Sequence, residues 1–126
     1  MFNYYSYEKI RRTLKNFYER EFWYDENVDL TNMNDDLDNF KCNGVISLAY
    51  GTDNEDIFSI DVYLNLYSRS IISKVSSVHG LEKLELLFSF DNENQLIQYL
   101  NNATFESLVI MEQEDLYIKY NHQFSN

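Results

Sequence analysis

Proline is absent from this chain of 126 residues, which holds three glycines and a single cysteine. Without proline, and with Gly44, Gly51 and Gly80 dispersed, there is no linker, no low-complexity tract and no glycine-rich loop to cradle a phosphate. The lone Cys42 excludes a disulfide scaffold. His79 and His122 are the only histidines, so a zinc site is short of ligands and nothing brings a thiolate–imidazole pair together. Long apolar runs are missing too. The N-terminus, Met1-Phe2-Asn3-Tyr4-Tyr5, offers no signal-peptide core. The longest uncharged stretch with much apolar content, Cys42–Thr52, is interrupted by Asn43, Gly44 and Ser47 and is too short and polar to span a bilayer. A cytoplasmic protein without membrane contact is the expectation. Basic residues are scarce, ten against 21 acids for a net charge of −11. A direct grip on nucleic-acid phosphates, which needs clustered cations, is therefore not expected.

What the chain does have is aromatic side chains: 11 Tyr, nine Phe and one Trp. Disordered chains lack such residues. A chain of this length buries about two thirds of its unfolded surface around a single core. Residues 1–126 thus read as one acidic domain. The charge is uneven. Residues 1–20 carry five basic and two acidic groups, a balance of +3, and the rest of the chain carries −14.

Within the N-terminal segment 1–22, Ser6–Glu21 has Tyr7, Ile10, Leu14, Phe17 and Tyr18 at helical spacing, which predicts a helix with Ser6 as its N-cap. Arg11, Arg12, Lys15 and Arg20 fall largely on its other faces. Residues 23–39 hold six acids and no base between Asp25 and Asn39, and read as an irregular acidic connection. Strand patterns dominate from residue 40. Gly44–Tyr50 alternates, with Ile46, Leu48 and Tyr50 against Val45, Ser47 and Ala49. Ile57–Tyr67 keeps strict period two: Phe58, Ile60, Val62, Leu64 and Leu66 face one way. Ile71–Val78 and Leu84–Phe90 are the third and fourth strands, the latter with Leu84, Leu86, Phe88 and Phe90 inward. Asn92 and Gln95 have capping-box spacing ahead of a helical stripe, which predicts a second helix over 93–102. Phe105–Met111 and Leu116–Tyr120 read as two more strands within 40–120, and 121–126 as a frayed tail. The expected fold is α+β, in the order α-β-β-β-β-α-β-β: one antiparallel sheet of about five to six strands with both helices packed on one face.

No catalytic pattern emerges, and no enzyme, cofactor or metal is expected. Asn34-x-Asp36-x-Asp38 starts like a calcium loop, but Asn39 stands where that loop needs glycine and Val45 where it needs glutamate. The surface is the more informative part. Opposite the core, the long strand bears Asp61, Tyr63, Asn65 and Tyr67, and the turn before it bears Asp53, Glu55 and Asp56. A second acidic group is Asp35, Asp36 and Asp38. Tyrosine gives large contact area at low entropy cost. Carboxylates beside it offer charge-assisted hydrogen bonds to the Arg and Lys of a basic protein. The candidate partner-binding residues are therefore Asp53, Glu55, Asp56, Asp61, Tyr63, Tyr67, Asp35, Asp36 and Asp38.

In size, acidity and α+β order the chain resembles the immunity proteins of bacterial polymorphic and contact-dependent toxin systems. The resemblance rests on overall character, with no motif, and assigns no residue a role. It implies a protein that neutralises a basic toxin, a nuclease domain above all, by occluding its active or nucleic-acid-binding site. A phage anti-defence protein that mimics nucleic acid would use the same physics on another target. The order and acidity also resemble type III secretion chaperones, which implies a homodimer. Against that, no third helix follows Leu116–Tyr120 and the first helix has no Leu-Gly pair.

Overall fold

The computed structural model describes residues 6–22, 33–52, 57–80 and 82–109. In chain order the elements are α1 (Tyr7–Phe22), α2 (Met33–Asn43), β1 (Val45–Thr52), β2 (Phe58–Asn65), β3 (Ser70–Ser77), β4 (Glu82–Ser89), α3 (Glu93–Asn102) and α4 (Phe105–Leu108). The strands form one antiparallel sheet in the order β1-β2-β3-β4. This is an α+β arrangement with a single sheet.

Two elements correct the sequence reading. The acidic stretch ends in a helix, α2, where an irregular connection was expected. Met33, Leu37 and Phe40 recur at four- and three-residue spacing; Leu37 and Phe40 are fully buried, and Met33 packs against the core from its edge. Asp35 and Asp36 lie in the first turn and Lys41 in the last, each sign matching the helix dipole. Phe105 begins a one-turn helix, α4, where a strand was expected. A reciprocal capping box explains it: the Thr104 side chain accepts from the Ser107 amide, and the Ser107 hydroxyl oxygen accepts from the Thr104 amide. The other expected strand, Leu116–Tyr120, and the tail 121–126 lie outside the described residues, as does most of the acidic connection. Among the described residues the sheet has four strands, not five to six.

The core lies between one sheet face and the helices. Ile10, Leu14 and Phe17 of α1, Leu37 and Phe40 of α2, and Leu96 and Leu100 of α3 join Leu48, Phe58, Ile60, Val62, Leu64 and Ile71 from the sheet. Burial along β2 alternates strictly, as its period-two pattern predicts.

Polar contacts at both ends hold α1 beside α3. The Ser6 amide donates to Glu93 Oε2 at 2.5 Å. At the far end Arg20 Nη2 donates to the carbonyls of Leu100 (3.0 Å) and Ala103 (2.8 Å). The helices therefore run in the same direction, and one guanidinium satisfies carbonyls that the end of α3 leaves open. Glu21, paired with Arg20 at 3.0 Å, accepts from the Phe105 amide at 2.7 Å, a carboxylate placed where α4 begins. On the other flank Arg11 joins α1 to α2 through Asp38 (2.7 Å) and Asn34 (3.1 Å). The Tyr7 hydroxyl donates to the Leu37 carbonyl.

Candidate functional site

The described helices pack on the inner face of the sheet, so among the described residues the outer face is the surface on which strand side chains can meet a partner. The pairing register gives its layout. One row across the four strands is Tyr50, Asp61, Lys74 and Leu84; the next is Ser47, Tyr63, Ile72 and Leu86. Tyr50, Leu84 and Leu86 are each about 60% exposed, at 61%, 60% and 61%. Tyr63 and Ile72 between them are half-buried. Three aliphatic and two aromatic side chains thus lie on a face that no helix among the described residues covers.

Charges are interleaved with this patch. Ser47 Oγ donates to Asp61 Oδ1 at 2.8 Å, which holds the Asp61 carboxylate between β1 and β2. Lys74 Nζ lies 3.4 Å from Glu82 Oε1, with both side chains largely in solvent. Such a pair contributes little stability. Apolar and aromatic side chains with charged groups interleaved among them offer a protein partner both contact area and hydrogen-bonding groups.

Two β-bulges set which side chains this face presents. In β1 the register shifts between Ser47 and Ala49. Leu48 and Ala49 are consequently both buried, and Tyr50 turns outward, against the expectation that it lies with Ile46 and Leu48. In β4 Phe88 pairs with Ile71 but Leu86 pairs with Ile72. The extra residue, Leu87, inverts the phase. Phe88 packs against the core, whereas Leu84 and Leu86 point away from it, a correction to their expected inward placement. Lys83 and Glu85 take the core-facing side of that strand, opposite Val75 and Ser73.

Of the nine residues singled out from sequence, Asp61 and Tyr63 lie together on the outer face. Tyr67 is exposed in the turn after β2, where the Asn65 side chain accepts from the Tyr67 and Ser68 amides. Asp35, Asp36 and Asp38 are exposed on α2, in the helical layer and apart from the outer face. Asp38 is committed to Arg11. Asp53, Glu55 and Asp56 lie outside the described residues. The sequence reading missed Tyr50, Ile72, Leu84 and Leu86. The alternation of Leu84 and Leu86 with Lys83 and Glu85 was visible, but aliphatic residues are assigned inward by default.

A second concavity is an open groove of about 820 Å³ beside α3, lined by Phe88, Asp91, Gln95, Gln98, Tyr99 and Asn102 among others. Phe88 and Tyr99 stack at 4.2 Å along it, and burial raises the Tyr99 pKa. Its amides are largely committed: Gln95 Oε1 accepts from the Asp91 amide and Asn102 Nδ2 donates to the Gln98 carbonyl, both at 2.8 Å. The groove therefore offers a ligand less than the outer face does. Among the described residues no three metal-ligating side chains cluster, and Cys42 is exposed at the end of α2. No helix among the described residues is long and apolar enough to cross a membrane. No protein-family model, no curated protein and no solved structure matches the chain.

Proposed function

We propose that this chain is an acidic protein-binding inhibitor: an immunity protein that neutralises a basic bacterial toxin, in the first place a nuclease domain, by covering its active or nucleic-acid-binding surface. The reading supposes no catalysis and no cofactor. One observation carries it, namely the outer sheet face with Tyr50, Leu84 and Leu86 exposed around Tyr63 and Ile72 on a chain of net charge −11. Soluble proteins rarely leave such aliphatic and aromatic side chains together in water without a use for them. Tyrosine anchors slow the release of a partner, and the negative field speeds the approach of a basic one.

The test is neutralisation. The product of the reading frame next to this one is expressed in cells with and without the chain, and survival is scored. The chain is expected to restore growth, and Tyr63→Ala with Leu86→Lys to abolish rescue while leaving the fold intact. Rescue that survives both substitutions would place the interface elsewhere. A neighbouring product that is harmless and does not bind would remove the toxin reading.

A further inference from the structure

We infer that Asn43 is a site of spontaneous covalent modification whose gate is the end of α2. Asn43-Gly44 is the only Asn-Gly pair in the sequence. An asparagine followed by glycine can close on itself. The glycine backbone nitrogen attacks the side-chain amide carbon and forms a bond to it. The bond from that carbon to the side-chain nitrogen breaks, and ammonia leaves with the proton that the backbone nitrogen gives up. Water then opens the resulting five-membered imide at one of its two carbonyls. One opening gives aspartate. The other gives isoaspartate, in which the main chain runs through the former side chain. Glycine favours the closure because it has no Cβ to crowd the attacking nitrogen and a wide backbone range. Water is the sole co-reactant.

The fold treats the two reacting groups differently. Asn43 is exposed, so water reaches the amide that is lost. Gly44 is buried and held at both ends of its peptide unit. Its N–H donates to the Phe40 carbonyl at 2.8 Å, and its carbonyl accepts from the Leu66 amide at 2.8 Å. A proton committed to a carbonyl is not free to be removed. Asn43 is also the last residue of α2, and in a helix the Cα–Cβ bond tilts towards the N-terminus, away from the nitrogen that must attack. The reaction therefore needs the Gly44 amide released from Phe40 and Asn43 turned out of its helical conformation. The change is one-way and lowers the chance of closing again. Either product adds a carboxylate at the C-terminus of α2, where the helix dipole disfavours negative charge. Isoaspartate also adds a methylene to the main chain ahead of Gly44, on whose position both hydrogen bonds depend. A molecule that has opened here is thus marked and held less firmly afterwards.

Peptide mass mapping of the full chain, incubated at mildly alkaline pH in buffer and in guanidinium chloride, tests this. In denaturant Asn43 is expected to convert ahead of every other asparagine. In buffer its conversion is expected to be slower by at least about tenfold, because an opened end of α2 is a minor population of the folded chain. Leu37→Ala removes a fully buried anchor of α2 and is expected to speed the conversion in buffer. Should that variant fail to fold, the wild-type chain in denaturant below its unfolding transition is expected to convert faster than in buffer. The converted chain, separated by charge, is expected to unfold at a lower denaturant concentration than the unmodified one. Equal rates in buffer and in full denaturant would overturn the gate, as would a folded Leu37→Ala chain that converts no faster than wild type. Conversion of other asparagines before Asn43 in the unfolded chain would overturn the site. A converted chain as stable as the unmodified one would overturn the marking.

Discussion

Arg20 shows how much a single side chain decides here. It donates to the Leu100 and Ala103 carbonyls and pairs with Glu21. Hydrogen bonds to a charged group contribute about 1.5–3 kcal/mol, so Arg20→Gln is expected to lower the unfolding free energy by about that amount in urea titration. Tyr18 is a second such residue. It is 9% exposed and donates to the Ser47 carbonyl at 2.6 Å. Burial, and after it the charge of Asp36, raises its pKa well above the ordinary phenol value of 10.0. The folded chain therefore keeps this proton at a pH where the unfolded chain has lost it. That contribution to stability is complete below about pH 10 and falls as the pH rises beyond it. Tyr18→Phe is expected to cost about 1–3 kcal/mol at neutral pH through the abandoned carbonyl. It should also flatten the alkaline decline, as urea midpoints measured from pH 8 to 11 would show. A wild-type alkaline limb as flat as the variant's would contradict the Tyr18 assignment. Leu86 behaves oppositely. At 61% exposed, Leu86→Lys is expected to change stability by no more than about 0.5 kcal/mol while removing partner binding.

Elements were legible to different degrees, for identifiable reasons. β2 could be read outright because Phe58, Ile60, Val62 and Leu64 alternate without a break and the sheet has a single buried face. α3 was equally plain: Asn92 accepts from the Gln95 amide at 3.0 Å, the contact that capping spacing implies. α2 was missed because its helical stripe continues to Phe40, beyond the point where the acidic stretch was taken to end. Its C-terminus also depends on Gly44, whose φ of 74° lets its amide donate back to Phe40 at 2.8 Å and its carbonyl accept from Leu66 at 2.8 Å. Gly44→Ala forces a Cβ into that left-handed conformation and is expected to cost about 1 kcal/mol, measurable by thermal unfolding. In β4, Leu84 and Leu86 were assigned inward because the bulge at Leu87 is invisible in the residues themselves. The candidate site was therefore half legible: Asp61 and Tyr63 came from the phase of β2, whereas Tyr50, Leu84 and Leu86 needed the phase shifts of their strands.

At the scale of the whole molecule, charge and layering act together. The balance of +3 on the first 20 residues includes Arg11 and Arg20, which are spent inside the helical layer on Asp38, Glu21 and open carbonyls. Among the described residues Asp35, Asp36, Asp91 and Glu106 stay exposed. Attraction between exposed charges is screened over a Debye length of about 8–10 Å. On the proposed function, the association rate with a basic partner is therefore expected to fall as salt is raised, while the dissociation rate changes less. Stopped-flow measurements across ionic strength would show this, and a salt-independent association rate would refute the steering role.

The residues alone determined the α+β class, the four consecutive strands and the flanking helices α1 and α3, because period two and period 3.6 are local properties of a chain. They also determined the acidic character. Only the tertiary structure decided which aliphatic side chains meet water. That choice depends on two bulges, on the cross-strand register they impose, and on the helical layer that, among the described residues, covers one face of the sheet only.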